Sequence, residues 1–174
     1  MKTLFLTLFC TISFTFNTSA SDNFLIKNGQ VIWQKIYNTT LTKDQLIWNI
    51  RNSGNFKNIS VQEDYLTAEI SMLRINHFRY ERLTGNYAHH IANSHHVNSY
   101  IKVEFKENRY RVTLKSIKLM PKDDEDDIID METFALKWRK EVFDSSFFRN
   151  KSKILDYAFK EVTDFKESQE SDQW

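Results

Sequence analysis

The residues best able to do chemistry cluster in two short segments. Four histidines stand in His89-His90-Ile91-Ala92-Asn93-Ser94-His95-His96. Neutral imidazoles are common ligands for zinc and copper, so His89, His90, His95 and His96 could chelate one ion if a loop brought them together. The spacing follows no standard zinc motif, with no HExxH and no neighbouring Cys. The competing reading is an exposed polar loop whose imidazoles hold metal weakly. The second segment is Asp123-Asp124-Glu125-Asp126-Asp127, with Asp130 and Glu132 close behind. These carboxylates suit calcium in number. An EF-hand loop starting at Asp123 would need Gly at position 128 and Glu at 134, but Ile128 and Phe134 stand there. The run reads better as a solvated stretch whose charge favours the N-terminus of a following helix.

A ligand surface is the third possibility. From residue 100 to 119, Lys102, Lys106, Arg109, Arg111, Lys115 and Lys118 oppose only Glu104 and Glu107, a local charge of +4. Tyr100 and Tyr110 add aromatic faces. Such a surface could take a nucleic acid or an acidic polysaccharide. The competing reading is a solvated outer sheet face paired with the acidic run. Trp33, Trp48 and Trp138 could stack on sugars, but Trp33 and Trp138 fall on core stripes, which leaves Trp48 as the exposed platform. Arg109, Arg111, Tyr110 and Trp48 are therefore the candidate ligand-binding residues. Nucleophilic chemistry has little to work with, since the chain has no GxSxG elbow and no P-loop. A pair of carboxylates for glycoside cleavage cannot be read from sequence, because their separation is a tertiary property.

The chain that must position these residues has 174 residues, 41% hydrophobic and 27% charged, the make-up of one globular domain. Lys2, the apolar stretch Leu4 to Phe16 and Thr18-Ser19-Ala20 read as a signal peptide over residues 1–20, cleaved before Ser21. That stretch is too short to span a bilayer, which takes about 20 residues. No later segment of the mature chain is a better candidate, so the expectation is a secreted or periplasmic protein without a transmembrane segment. Cleavage removes Cys10, the only cysteine, so stability must come from packing and not from disulfides. It also removes Lys2 and brings Lys plus Arg to 23 against 23 acids, a formal charge of zero. Nucleic-acid binders usually carry a basic excess, which makes that partner unlikely.

The elements follow in order. Asn28-Gly29 between Phe24-Leu25-Ile26 and Val31-Ile32-Trp33 predicts a type I′ hairpin. Val31 and Trp33 on one face, with Ile32 and Ile36 on the other, suggest a strand covered on both sides. Thr42 with Gln45 is a capping box for a helix carrying Leu46, Ile47 and Ile50, stopped at Gly54. Phe56 to Gln62 and Tyr65 to Ile75 are strands. Leu66, Ala68 and Ile70 share one parity and Leu73 and Ile75 the other, so a bulge is expected near Met72. Residues 76–97 read as a long loop or irregular hairpin. Ile101-Val103-Phe105 and Tyr110-Val112-Leu114 alternate around a turn at Glu107-Asn108, Ile117 and Leu119 again switch parity, and Pro121 ends the strand. Met131, Phe134, Ala135, Trp138 and Val142 predict one amphipathic helix facing the sheet, and Leu155, Ala158, Val162 and Phe165 another. Residues 21–165 form a single domain, followed by a frayed polar tail over 166–174.

The strand Gly29-Gln30-Val31-Ile32-Trp33-Gln34-Lys35, the helix after Thr42 and the stretch Ile101-Lys102-Val103-Glu104-Phe105-Lys106-Glu107-Asn108-Arg109-Tyr110-Arg111 together resemble a family of secreted bacterial proteins of unknown function. Their domain is described as having a fold like the TATA-box-binding protein. The resemblance spans roughly residues 24–119 and implies a curved antiparallel sheet with helices on one side. It implies no catalytic residues, and the fold's name is not a statement about DNA binding. The expectation is thus an α+β protein, a curved antiparallel sheet of about six strands with helices packed on one face. It acts as a secreted or periplasmic non-catalytic binding domain for an unknown protein or polysaccharide, without a cofactor. The alternatives are a secreted hydrolase whose site is built in tertiary space, and a zinc- or copper-binding protein using the His-rich loop.

Overall fold

The computed structural model describes residues 23–86, 90–122, 127–137 and 142–165. The signal peptide and its Cys10, Asp123 to Asp126 of the acidic run, His89, Trp138 and the tail from residue 166 lie outside the described residues. The first hairpin is β1 (Phe24–Lys27) and β2 (Gln30–Asn38). Its turn has Asn28 at φ 52° and Gly29 at φ 73°, the two positive angles a type I′ turn needs. Helix α1 (Lys43–Asn52) starts at the expected capping box, Thr42 with Gln45. Strands β3 (Phe56–Val61) and β4 (Tyr65–Arg74) precede α2 (His77–Thr84) and the single turn α3 (Ile91–Ser94). Strands β5 (His95–Lys106), β6 (Arg109–Pro121) and the two-residue β7 (Ile129–Asp130) follow. Then come α4 (Met131–Ala135), a π-helical turn (Phe147–Lys151) and α5 (Ser152–Thr163).

All seven strands form one antiparallel sheet in the order β1-β2-β6-β5-β4-β3, with β7 beside β6. One face is buried. Val31, Trp33 and Tyr37, Val112 and Leu114, Val97, Ile101 and Val103, and Leu66, Ala68 and Ile70 all point into one core cluster. Leu46, Ile47 and Ile50 of α1 and Leu155, Ala158, Phe159 and Val162 of α5 close it. Trp33 is fully buried, packs edge-on against Phe159 at 5.6 Å and donates its indole N–H to Asp156 at 2.8 Å. Asp156 also accepts from Asn23 Nδ2 at 2.6 Å and pairs with Lys160, so this buried carboxylate is satisfied from three sides. The α+β expectation holds, with helices on one face of the sheet.

Three bulges bend the sheet. Between Ile70 and Leu73, β4 has one residue more than β5, and Met72 takes φ 57°. Between Lys115 and Lys118, β6 has one residue more than β5, and Ser116 takes φ 49°. A third lies between Lys57 and Ser60 of β3, with Asn58 at φ 52°. Each bulge adds local twist and bends its strand.

Two expectations are corrected. The described residues of 76–97 do not form one loop: Asn76 caps α2 by accepting from Arg79 N at 3.0 Å, Gly85 ends it at φ 67°, and β5 already begins at His95. The stripe from Met131 to Val142 is not one helix. Leu136 leaves helical geometry to bridge antiparallel to Phe143, so α4 stops at Ala135 and Val142 is exposed. Met131 and Ala135 do face the sheet as expected.

Candidate functional site

The opposite face of the sheet is packed against no described helix. Every second residue of β2 to β6 points there, and the strand register aligns these side chains in rows across the sheet. The row at the β5–β6 turn holds Lys106, Arg109 and Asn38. The next row is Tyr65, Glu104, Arg111 and Ile36. Behind it stand Ser60, Thr67, Lys102, Thr113 and Gln34, and then Lys57, Glu69, Tyr100 and Lys115. Ile32 lies on this side too and is buried, whereas Ile36 is 57% exposed, so the double-sided cover expected for β2 stops short of its end.

Glu104 is the hub of the face. Its Oε2 accepts from Arg111 Nε at 2.8 Å and its Oε1 from Lys102 Nζ at 3.2 Å. The Arg111 hydrogen bond, aided by Lys102, holds the Glu104 carboxyl below its ordinary range even though partial burial works the other way. The same bond pushes Arg111 upward. The Lys102 ammonium also lies 4.5 Å from the Tyr65 ring centre, a cation–π contact that fixes its stem. Around these groups is a depression of about 480 Å³ lined by Ile36, Asp64, Tyr65, Glu104, Phe105, Lys106, Arg109, Tyr110 and Arg111. Neither Lys106 nor Arg109 makes an ion pair among the described residues.

Of the four candidate ligand residues, Arg109, Tyr110 and Arg111 all line the depression, but only two of them turn their side chains to the open face. Arg109 and Arg111 project side by side onto the open face. Tyr110, between them in a strand, must point the other way: it is 2% exposed, stacked on Tyr37 with ring centres 4.9 Å apart. Its hydroxyl donates to Thr163 O at 3.0 Å and accepts from Phe165 N at 2.9 Å, and burial pushes its pKa well above the ordinary tyrosine value. Tyr110 lines the depression from within the strand, and its ring belongs to the core. Trp48 is exposed as expected, but on α1 in the helix layer, and shares no surface with the arginines.

His95 and His96 separate as well. They are consecutive in β5, so their rings leave opposite faces of the strand. His95 Nδ1 lies 2.7 Å from Ser94 Oγ, and burial, then the nearby His90, hold its pKa below the ordinary imidazole value. His96 is lowered by burial, then by Lys122 and Arg74, and its buried Nδ1 has no hydrogen-bond partner. No group of three His, Cys, Asp or Glu among the described residues is placed to hold a metal ion. Glu104 and Tyr65 were missed as site residues. The turn at Glu107-Asn108 pairs Lys106 with Arg109 and hence Glu104 with Arg111, so half of this hub could have been read from the hairpin alone.

No protein-family model matches the chain, and no curated protein matches it. Two solved structures are similar to it. A TBP-like protein from Parabacteroides distasonis has 12% sequence identity and a TM-score of 0.43, over 80% of this chain and 94% of that one. A DUF4468 family protein from Bacteroides ovatus has 14% identity and a TM-score of 0.41, over 80% of this chain and 82% of that one. The first carries the fold name that the family resemblance implied, and the likeness concerns fold alone.

Proposed function

We propose that this chain is an exported, non-catalytic binding module that holds a polysaccharide on its open sheet face. The observation that carries the reading is the side-chain grid itself, in which rows of Lys, Arg, Thr, Gln and Tyr stand on a face that no described helix covers. Within a sheet the backbone groups are used by neighbouring strands, so a ligand lying on its face is read by side chains. Hydroxyls, amides and cations match the hydroxyls and acid groups of a sugar polymer. A protein partner would call for a central apolar anchor, and here the exposed Ile36, Met72 and Tyr100 stand in different rows. The five strands from β3 to β2, about 4.8 Å apart, make a face about 20 Å across, enough for several sugar rings. Export rests on the leader pattern of residues 1–20.

The test is affinity electrophoresis of the secreted protein through gels that contain neutral or acidic polysaccharides. Tyr100→Ala, on the open face, should lose most of the retardation, and Trp48→Ala, on α1, should keep it. Retardation by no polysaccharide, or its loss in Trp48→Ala only, overturns the reading. Release of reducing ends from a retained polymer would replace the binding module with a hydrolase.

A further inference from the structure

Resting on that reading, we infer that the polysaccharide is an acidic one and that the depression at the β5–β6 turn reads its carboxylates. Lys106 and Arg109 supply the free cations, and Glu104 fills a neighbouring carboxylate seat from within the protein. The seat is visible because it is occupied. A carboxylate lies between the Arg111 guanidinium at 2.8 Å and the Lys102 ammonium at 3.2 Å, and Tyr65 packs under the ammonium at 4.5 Å. One row nearer the turn, about 6.7 Å along the strands, Lys106 and Arg109 offer a second pair of cations with no acid between them. Over the four rows, Lys57, Lys102, Lys106, Arg109, Arg111 and Lys115 oppose only Glu69 and Glu104. Glu69 is further engaged by Asn58 Nδ2 at 2.8 Å. Asp64 is the one other acid of the depression. Charge complementarity therefore favours a polymer with repeated carboxylates over a neutral one. The spacing of the two seats lets consecutive acid groups meet Lys106 with Arg109 first and the Arg111 side second.

Glu104 then acts as a built-in competitor. It screens two of the cations, so removing its charge should strengthen the binding of a polyanion, a gain that damage to the fold cannot mimic. The probes are polygalacturonate, its carboxyl-reduced form and single-stranded DNA, each run against wild type, Lys106→Gln/Arg109→Gln, Glu104→Gln and Tyr100→Ala. Polygalacturonate should be retained and its reduced form released. The double variant should bind polygalacturonate at least tenfold more weakly. Glu104→Gln should bind it several-fold more tightly, and retention should weaken as sodium chloride is raised. Equal retention of the carboxyl-reduced polymer, with Tyr100→Ala still deficient and the charge variants unchanged, overturns the inference and leaves the sheet-face reading standing. Indifference of Tyr100→Ala and of every charge variant overturns both. Tighter binding of DNA than of polygalacturonate overturns the polysaccharide assignment. Weaker binding by Glu104→Gln rejects the role given to Glu104.

Discussion

Replacing Tyr110 with Phe removes one oxygen from the interior and leaves the ring in place. That oxygen serves two backbone groups at the end of α5: it donates to Thr163 O at 3.0 Å and accepts from Phe165 N at 2.9 Å. The last carbonyls of a helix have no partner within it, so the Tyr110 hydroxyl acts as a cap delivered from the sheet. Thr163 is fully buried and Phe165 nearly so, which keeps water from taking the vacated position. A lost hydrogen bond costs about 1 kcal/mol net, and a buried partner left unsatisfied costs about 1–3 kcal/mol. For two partners, Tyr110→Phe should destabilise by about 2–4 kcal/mol, which at about 3 °C per kcal/mol for a domain of this size lowers Tm by about 6–12 °C.

Tyr37→Phe is the internal control. The Tyr37 hydroxyl shares a 2.7 Å bond with Thr163 Oγ1, but that oxygen keeps its own bond to Phe159 O at 2.6 Å. One bond is lost and no group is stranded, so the cost is about 0.5–1.5 kcal/mol. Urea titrations followed by tryptophan fluorescence give both numbers, and an unchanged slope certifies that only stability has moved. A Tyr110→Phe protein within 0.5 kcal/mol of wild type, or a Tyr37→Phe protein that loses more, would refute the capping role. Folded Tyr110→Phe protein should also retain polysaccharide as wild type does, because the ring faces away from the ligand surface.

Three further outcomes are expected. His95 and His96 both titrate below the ordinary imidazole value because burial disfavours the charged ring. The unfolded chain therefore takes up protons first, and their contribution to stability is complete above about pH 6.5 and lost as pH falls through the lower folded values. Urea midpoints should drop between pH 8 and pH 5 in wild type and drop less in His95→Gln/His96→Gln, and equal drops would reject the assignment. Lys35 points into the core side of β2 beyond the stretch Gln30–Trp33 that β1 pairs, and such an inward charge keeps another strand off an open edge. Lys35→Ile should shift the protein toward dimers or larger species in light scattering, and a persistent monomer at high concentration would show that the edge is guarded otherwise. Intact mass of secreted protein should correspond to a chain beginning at Ser21, and a mass that includes Cys10 would exclude the proposed cleavage.

The elements that sequence reasoning placed well are those whose signal is local. Asn28-Gly29, the Thr42–Gln45 box and the Leu155, Ala158, Val162 stripe each carry their own geometry. Helix α2 has no such pattern, because only Tyr80 of its eight residues is buried, and its end signals, Asn76 and Gly85, went unused without a stripe between them. The Met131 to Val142 stripe had the right period and still failed, since the Leu136–Phe143 bridge is a tertiary pairing that outweighs helix continuation. Tyr110 was misjudged for a simpler reason. Alternation in a strand puts Arg109 and Arg111 on one side and Tyr110 on the other, and the three were grouped by sequence proximity instead of by face.

The parity switches are where sequence and site meet. Leu73 and Ile75 after Ile70, and Ile117 and Leu119 after Leu114, would point outward in unbulged strands, while Arg74 and Lys118 would point into the core. The extra residues at Met72 and Ser116 reverse that assignment in both strands at the level where they flank β5. The β5 side chains hold both bulges: Asn98 Oδ1 accepts from Met72 N at 2.6 Å, and Ser99 Oγ donates to Lys115 O at 3.0 Å. A core that stays apolar along the whole sheet and an outer face that stays polar are thus two results of one device. Two residues in left-handed conformations decide that Arg74 and Lys118, one step past the proposed grid, stand on the outer face and not in the core.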